Sequence, residues 1–372
     1  AIHGNDLVVG TYGRGIWVLD DYSPLRQITA ATANHPVHLF APGDAVRVRR
    51  NVGADTPFPP EVPHALNPPD GAIIYYYLAS PPTGEISLDV LDAGGAVVRH
   101  LSSAPVEPVK EAAQPPEPNF WIATPQRLAT AAGTNRVNWD LRAEAPAALT
   151  HTFEINANPG LTPPSPVGPL VPPGVYTLKL IVGDKPYTRS VTVVNDPRSP
   201  ARAADVRAQY DLQTKIIAGT KQSWDGYHQV AALRAAVAAD TAPALPAAVV
   251  AAAKAFDSTL ALVAGDPGGG RGGGGGGGGF FGGGARPAPT FVSVNGNLAG
   301  QINTLENGDM APTPAMQAAY VAGCRDLQTV VTTWTGINAA PLATFNAVLT
   351  QNNLKPVAAT GPALVAPVCS RS

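Results

Sequence analysis

Apolar and polar positions alternate with period two through the first half of the chain and recur at helical spacing through the second. The clearest alternation lies in 175–182 and 187–194, two β-branched and aromatic runs joined by Gly183-Asp184-Lys185-Pro186, which predicts a hairpin. Tyr176, Leu178, Leu180 and Val182 form its expected core face, opposite Val175, Thr177, Lys179 and Ile181. Earlier runs repeat the pattern. Asp6–Thr11 and Gly15–Asp20 flank a Tyr12-Gly13-Arg14 turn, and Ile86, Leu88 and Val90 alternate with Glu85, Ser87 and Asp89. Seven or eight strands are expected between residues 36 and 195, with Pro-rich connections at 103–134 and 156–172. Beyond Pro197 the period changes. Val206, Tyr210, Ile217, Trp224, Tyr227, Val230, Leu233 and Val237 predict a helix from Ser199-Pro200 to about Asp240. Further helices are expected at 246–265, at 292–305, from Thr313-Pro314 through Trp334, and at 342–349. Alanine-rich helices pack closely, so they predict a bundle.

Composition adds limits more than functions. The chain has 372 residues, a net charge of -2 and 14% charged residues, so it carries no basic footprint for nucleic acid or an anionic membrane. Glycine and proline, 38 and 39 residues, make up about a fifth of it and imply long connections. By this reading no apolar segment reaches bilayer-spanning length. The start, Ala1-Ile2-His3-Gly4, leads to the expectation of a processed product or a fragment. Two cysteines without a C-x-x-C pair exclude a cysteine-type metal site. With few lysines and abundant Pro, Ala, Thr and Gly, the composition favours an extracytoplasmic protein.

The run His3-Gly4-Asn5-Asp6-Leu7-Val8-Val9-Gly10-Thr11-Tyr12-Gly13-Arg14-Gly15-Ile16-Trp17-Val18-Leu19-Asp20-Asp21, with its exit through Ser23-Pro24-Leu25-Arg26-Gln27, resembles the final blade of bacterial β-propellers. These propellers carry sialidase-type (neuraminidase) repeats and are related to sortilin-type propellers. Residues 37–42, 69–78, 84–92 and 97–99 are similar to the domain that follows such propellers. The Asn138-Trp139-Asp140 and Gly174-Val175-Tyr176 segments resemble the immunoglobulin-like fold of flagellar hook-capping proteins, and 293–298 with 311–313 resembles the helical tail of the propeller family. The resemblance implies three parts: propeller-blade strands and exit at 1–30, an immunoglobulin-like antiparallel β-sandwich at 31–197, and an α-helical bundle at 198–372 with a Gly-rich insertion at 265–287. It further implies a non-catalytic structural or binding module, the C-terminal part of a propeller protein. The alternative is an accessory region of a glycan-directed hydrolase whose active site lies in the propeller.

Each candidate site has a plainer reading beside it. The Gly-rich run 268–284, broken by Arg271, Phe280 and Phe281, lacks the Gly-Lys-Ser/Thr end of a phosphate loop and holds one Arg-Gly-Gly unit; it reads as a flexible insertion. The seven histidines (His3, His35, His38, His64, His100, His151, His228) show no H-x-x-x-H or H-E-x-x-H spacing and read as solvated or capping side chains. Asp20-Asp21 reads as an anchor of the exit turn. Tyr12, Arg14 and Asp20 supply sialidase residue types without a constellation, and neither an Asp-box nor a G-x-S-x-G elbow is present. No catalytic residue, cofactor or metal is therefore expected. Trp139, Tyr75 and Tyr77 are candidates for glycan contact, against a core role for Trp139. Cys324, on the apolar side of the fourth helix, is expected to bond Cys369 and pin a Pro-flanked tail. An isolated two-stranded hairpin is marginal in water, so Leu7, Val9, Ile16, Trp17 and Leu19 are expected to meet a partner: the upstream propeller polypeptide or another copy of the chain.

Overall fold

The computed structural model describes residues 1–49, 61–62, 68–106, 119–153, 160, 162–241, 245–267 and 287–370. His64 and the run 268–284, with Arg271, Phe280 and Phe281, lie outside the described residues. The architecture is mixed β and α, with strands through Asn195 and long helices beyond it.

The front of the chain is a sheet of three short strands, β1 (Ile2–His3), β2 (Asp6–Gly10) and β3 (Ile16–Leu19), rather than the expected two. Ile2 pairs with Leu7 and His3 with Asp6; a two-residue strand is too short to show alternation in sequence. A 3₁₀ turn, Ser23–Gln27, and a single helical turn, α1 (Ala30–Ala33), lead away from it.

Next come β4 (Val37–Leu39), β5 (Ala45–Arg47), β6 (Ala72–Leu78), β7 (Ile86–Leu91), β8 (Val97–Ser102), β9 (Gly133–Trp139), β10 (Thr152–Phe153), β11 (Pro164–Ser165), β12 (Gly174–Val182) and β13 (Lys185–Asn195). Strands β4-β6-β9 form one sheet and β5-β13-β12-β7-β8 another, while β10 and β11 pair with each other. Tyr76, Leu78, Val137 and Trp139 from the first sheet share one apolar core with Leu88, Val90, Leu178, Leu180 and Val191 from the second. The 175–194 hairpin turns on Gly183-Asp184 alone, since Val182 pairs with Lys185. Tyr176, Leu178 and Leu180 are buried, and Val182 is partly so. The five-stranded sheet is not wholly antiparallel, because β5 runs parallel to β13, with Ala45 opposite Val193.

The second core belongs to α2 (Ala203–Ala238), α3 (Ala247–Ala264), α4 (Phe291–Leu305), α5 (Pro314–Ala339) and α6 (Pro341–Gln351). Thr290 and Ser293 cap α4 reciprocally, and the Thr313 hydroxyl accepts from Met316 N at the start of α5. At α2 the cap differs from expectation. Ser199-Pro200 lies in a turn that Asp196 organises by accepting from Arg198 N, and the helix starts three residues on, where Arg202 pairs with Asp205. Helices α2 and α4 approach closely at Gly226, where a Cβ would stand 2.2 Å from the Phe291 ring. Helix α3 is long and apolar enough to be a minimal bilayer span by length and composition, contrary to the sequence reading. It lies in the bundle with Val249, Ala253, Phe256, Leu260 and Val263 buried.

Candidate interaction surface

Strand β3 places Ile16, Trp17, Val18 and Leu19 on alternating faces, and all four are exposed, by 75, 66, 55 and 45%. On β2, Val9 faces solvent, while Leu7 is half-buried opposite Leu19. Ile2 on β1 is exposed as well. Among the described residues the strand order β1-β2-β3 leaves one edge of β3 unpaired, so a row of backbone donors and acceptors lies beside a two-sided apolar surface. The residues singled out in sequence, Leu7, Val9, Ile16, Trp17 and Leu19, thus occupy one small sheet.

This sheet is held at its exit rather than through its faces. Asp6 accepts from Asp21 N at 2.9 Å, and Tyr22 N donates to Asn5 O at 2.7 Å. The Gln27 side chain then makes two bonds to the Ala41 backbone, at 2.8 and 2.9 Å. Asp21 therefore closes the exit turn, and its carboxylate accepts from Ser23 N. Tyr12, Arg14 and Asp20 lie on or beside this sheet, and no pair of them forms a hydrogen bond.

The glycan candidates separate. Trp139 is 1% exposed, stands edge-on to Tyr176 at 5.3 Å and donates from Nε1 to Arg142 O at 2.9 Å; burial removes it as a stacking platform. Tyr76 is also buried, donating to Ala129 O, and desolvation pushes its phenol up to about 12. Tyr75 and Tyr77 share the opposite, half-exposed face, and the Tyr75 hydroxyl is engaged with Asp20 O at 3.4 Å.

Two features tie the β and α halves together. Arg47 and Arg49, at and just after β5, and Arg142, just after β9, converge on Glu306 and Asp309 in the α4–α5 connection. Arg142 reaches Glu306 at 2.6 Å and Arg49 reaches it at 3.0 Å, while Arg47 and Arg49 both bond Asp309. Gln213 of α2 donates to Glu306 at 2.6 Å, and Arg47 Nε donates to Val171 O at 2.9 Å. Burial alone would raise the Glu306 carboxyl, but Arg142 and Arg49 outweigh it and hold it below the ordinary carboxylate range. Asp309 follows the same logic through Arg47 and Arg49. About three turns earlier on α4, the fully buried Asn295 accepts from Leu149 N at 2.8 Å and donates to Ala147 O, Thr220 O and Ser223 Oγ. Spacing alone did not reveal this cluster. Its one sequence signal is Arg47 at the same strand parity as buried Ala45, a charge that needs a buried partner.

At the far end Cys324 of α5 is bonded to Cys369. The tail between α6 and Cys369 has no regular structure and lies along α2: Thr360 Oγ1 donates to Gln229 O at 2.6 Å, and Gln229 Nε2 donates to Pro362 O at 2.9 Å. Gln229 also accepts from Trp334 Nε1 at 3.1 Å, so one buried amide joins tail, α2 and α5. Among the described residues, no three of His, Cys, Asp and Glu gather as a metal-holding group.

Comparison of the chain with family models, with curated proteins and with solved structures returned no match.

Proposed function

We propose that this chain is a non-catalytic structural or binding module, the C-terminal part of an extracytoplasmic β-propeller protein, whose N-terminal sheet docks by strand addition onto the propeller polypeptide. In this reading the two packed β-sheets are an immunoglobulin-like sandwich and the helices a rigid support behind it. The observation that carries the reading is β3, a strand exposed on both faces beside an open edge. A blade of this type takes four strands, and β1-β2-β3 provides three. The fourth position lies against β3, where Ile16, Trp17, Val18 and Leu19 offer side chains to pockets on either face of an added strand. The Cys324–Cys369 bond suits an oxidising compartment and supports the extracytoplasmic assignment.

The test is removal of residues 1–20. The truncated chain keeps both cores, which contain none of those residues, and loses co-purification with the propeller polypeptide. Equal retention of the propeller by intact and truncated chains overturns the docking role. A doubled solution mass of the intact chain alone, abolished by the truncation, assigns the open edge to a second copy instead.

A further inference from the structure

The loop before β4 and the far end of β13 enclose a recess of about 250 Å³ that the docking role leaves unused. It is lined by two histidines, His35 and His38, and by Tyr187, Thr188 and Arg189 of β13, and none of its lining residues is acidic. The topology explains the grouping. Tyr187 and Arg189 share strand parity with Val191 and Val193, whose side chains fill the core. Strand β13 outruns that core, so the same parity delivers a half-buried phenol and an exposed guanidinium at its far end. His38 sits on β4 between the buried Val37 and Leu39, its ring edge-on to Phe40 at 4.7 Å.

Among the described residues the Arg189 guanidinium meets no carboxylate. Arg198, Arg202, Arg207 and Arg234 each meet an aspartate. Among the described residues Arg189 bonds only its neighbour's carbonyl, Thr188 O, at 2.9 Å. The His38 imidazole is held below its ordinary value first by burial, then by Arg189 and by His35, which favours its neutral form, a ring that donates one N–H.

We propose that this recess is a binding site for a phosphate group. A guanidinium fork, two ring N–H donors and a phenol match an oxyanion that accepts several bonds at once, those from the guanidinium charge-assisted. The volume is below the ~300 Å³ at which pockets for whole drug-sized ligands begin, so the site takes a small anion or one phosphate of a larger molecule. The proposal stands apart from the docking role, since none of its residues lies on β1, β2 or β3.

Isothermal titration of the full chain with inorganic phosphate and with phenyl phosphate, at constant ionic strength, tests it. Saturable one-to-one binding is expected, weakened about tenfold by Arg189→Gln and by His38→Asn. Arg189 is exposed, so its replacement leaves the core intact, and an unchanged circular dichroism spectrum verifies this. Binding of inorganic phosphate identifies a free-ion site. Binding of the ester alone identifies a site for a phosphate carried on a larger molecule, and either result supports the proposal. Failure of both ligands to saturate, or equal affinities for the wild-type chain and Arg189→Gln, overturns it.

Discussion

Leu178 and Leu180 of β12 are fully buried, whereas Ile16, Trp17, Val18 and Leu19 of β3 all face solvent, although both strands are built from apolar and β-branched residues. The difference lies in what stands opposite. Strand β12 has β7 and β13 on its flanks and the Trp139 sheet across the core, while β3, among the described residues, has one neighbour and no facing layer. Local pattern sets the strand, and a second layer sets the burial.

The comparison is broken most forcefully at its buried end. Trp139→Ala empties a site at the centre of the β core and leaves Arg142 O without its indole donor; a loss of about 3–5 kcal/mol in urea unfolding is expected. In the helical half, replacing Cys324 and Cys369 together with serine opens a link across 45 residues. The chain-entropy model gives a loss of about 4 kcal/mol, read as a lowered midpoint of the helical transition while the β transition stays in place. The exposed end sharpens the contrast. Trp17→Ser should alter the stability of the isolated chain by no more than about 0.5 kcal/mol, yet weaken capture by the propeller polypeptide. A large fall in the isolated chain's melting temperature would show that β3 is buried in solution.

Much of the fold is legible in the sequence, and the failures share a cause. The Tyr176-Leu178-Leu180 face and the Thr290 and Thr313 caps rest on interactions within a few residues, so spacing reveals them. Ser199-Pro200 carried the same cap signature and misled, because Asp196 engages the backbone first and holds a turn there. Strand β5 was missed because it spans three residues and pairs in parallel with a strand far along the chain. The arginine cluster was missed for a stronger form of that reason: Arg47 and Asp309 stand 262 positions apart, and no periodicity connects them. Trp139 was legible as a strand residue, but whether it faced a sugar or a core depended on the sheet across from it. The same limit hides the phosphate recess, where His35 and His38 are neighbours in sequence and Arg189 comes from the opposite sheet.

The ends of the stretch between α3 and α4 meet. Gly265, at φ +78°, closes α3 so near the Thr290 cap of α4 that an added Cβ would lie 2.5 Å from the threonine hydroxyl. The last residue of the α3 cap and the first of the α4 cap are therefore in side-by-side contact. Closing a loop between fixed posts costs more only as the logarithm of its length, about 0.6 kcal/mol for each doubling. Two helix ends already in contact make the stretch between Gly265 and Thr290 the natural place in this molecule to graft a new peptide.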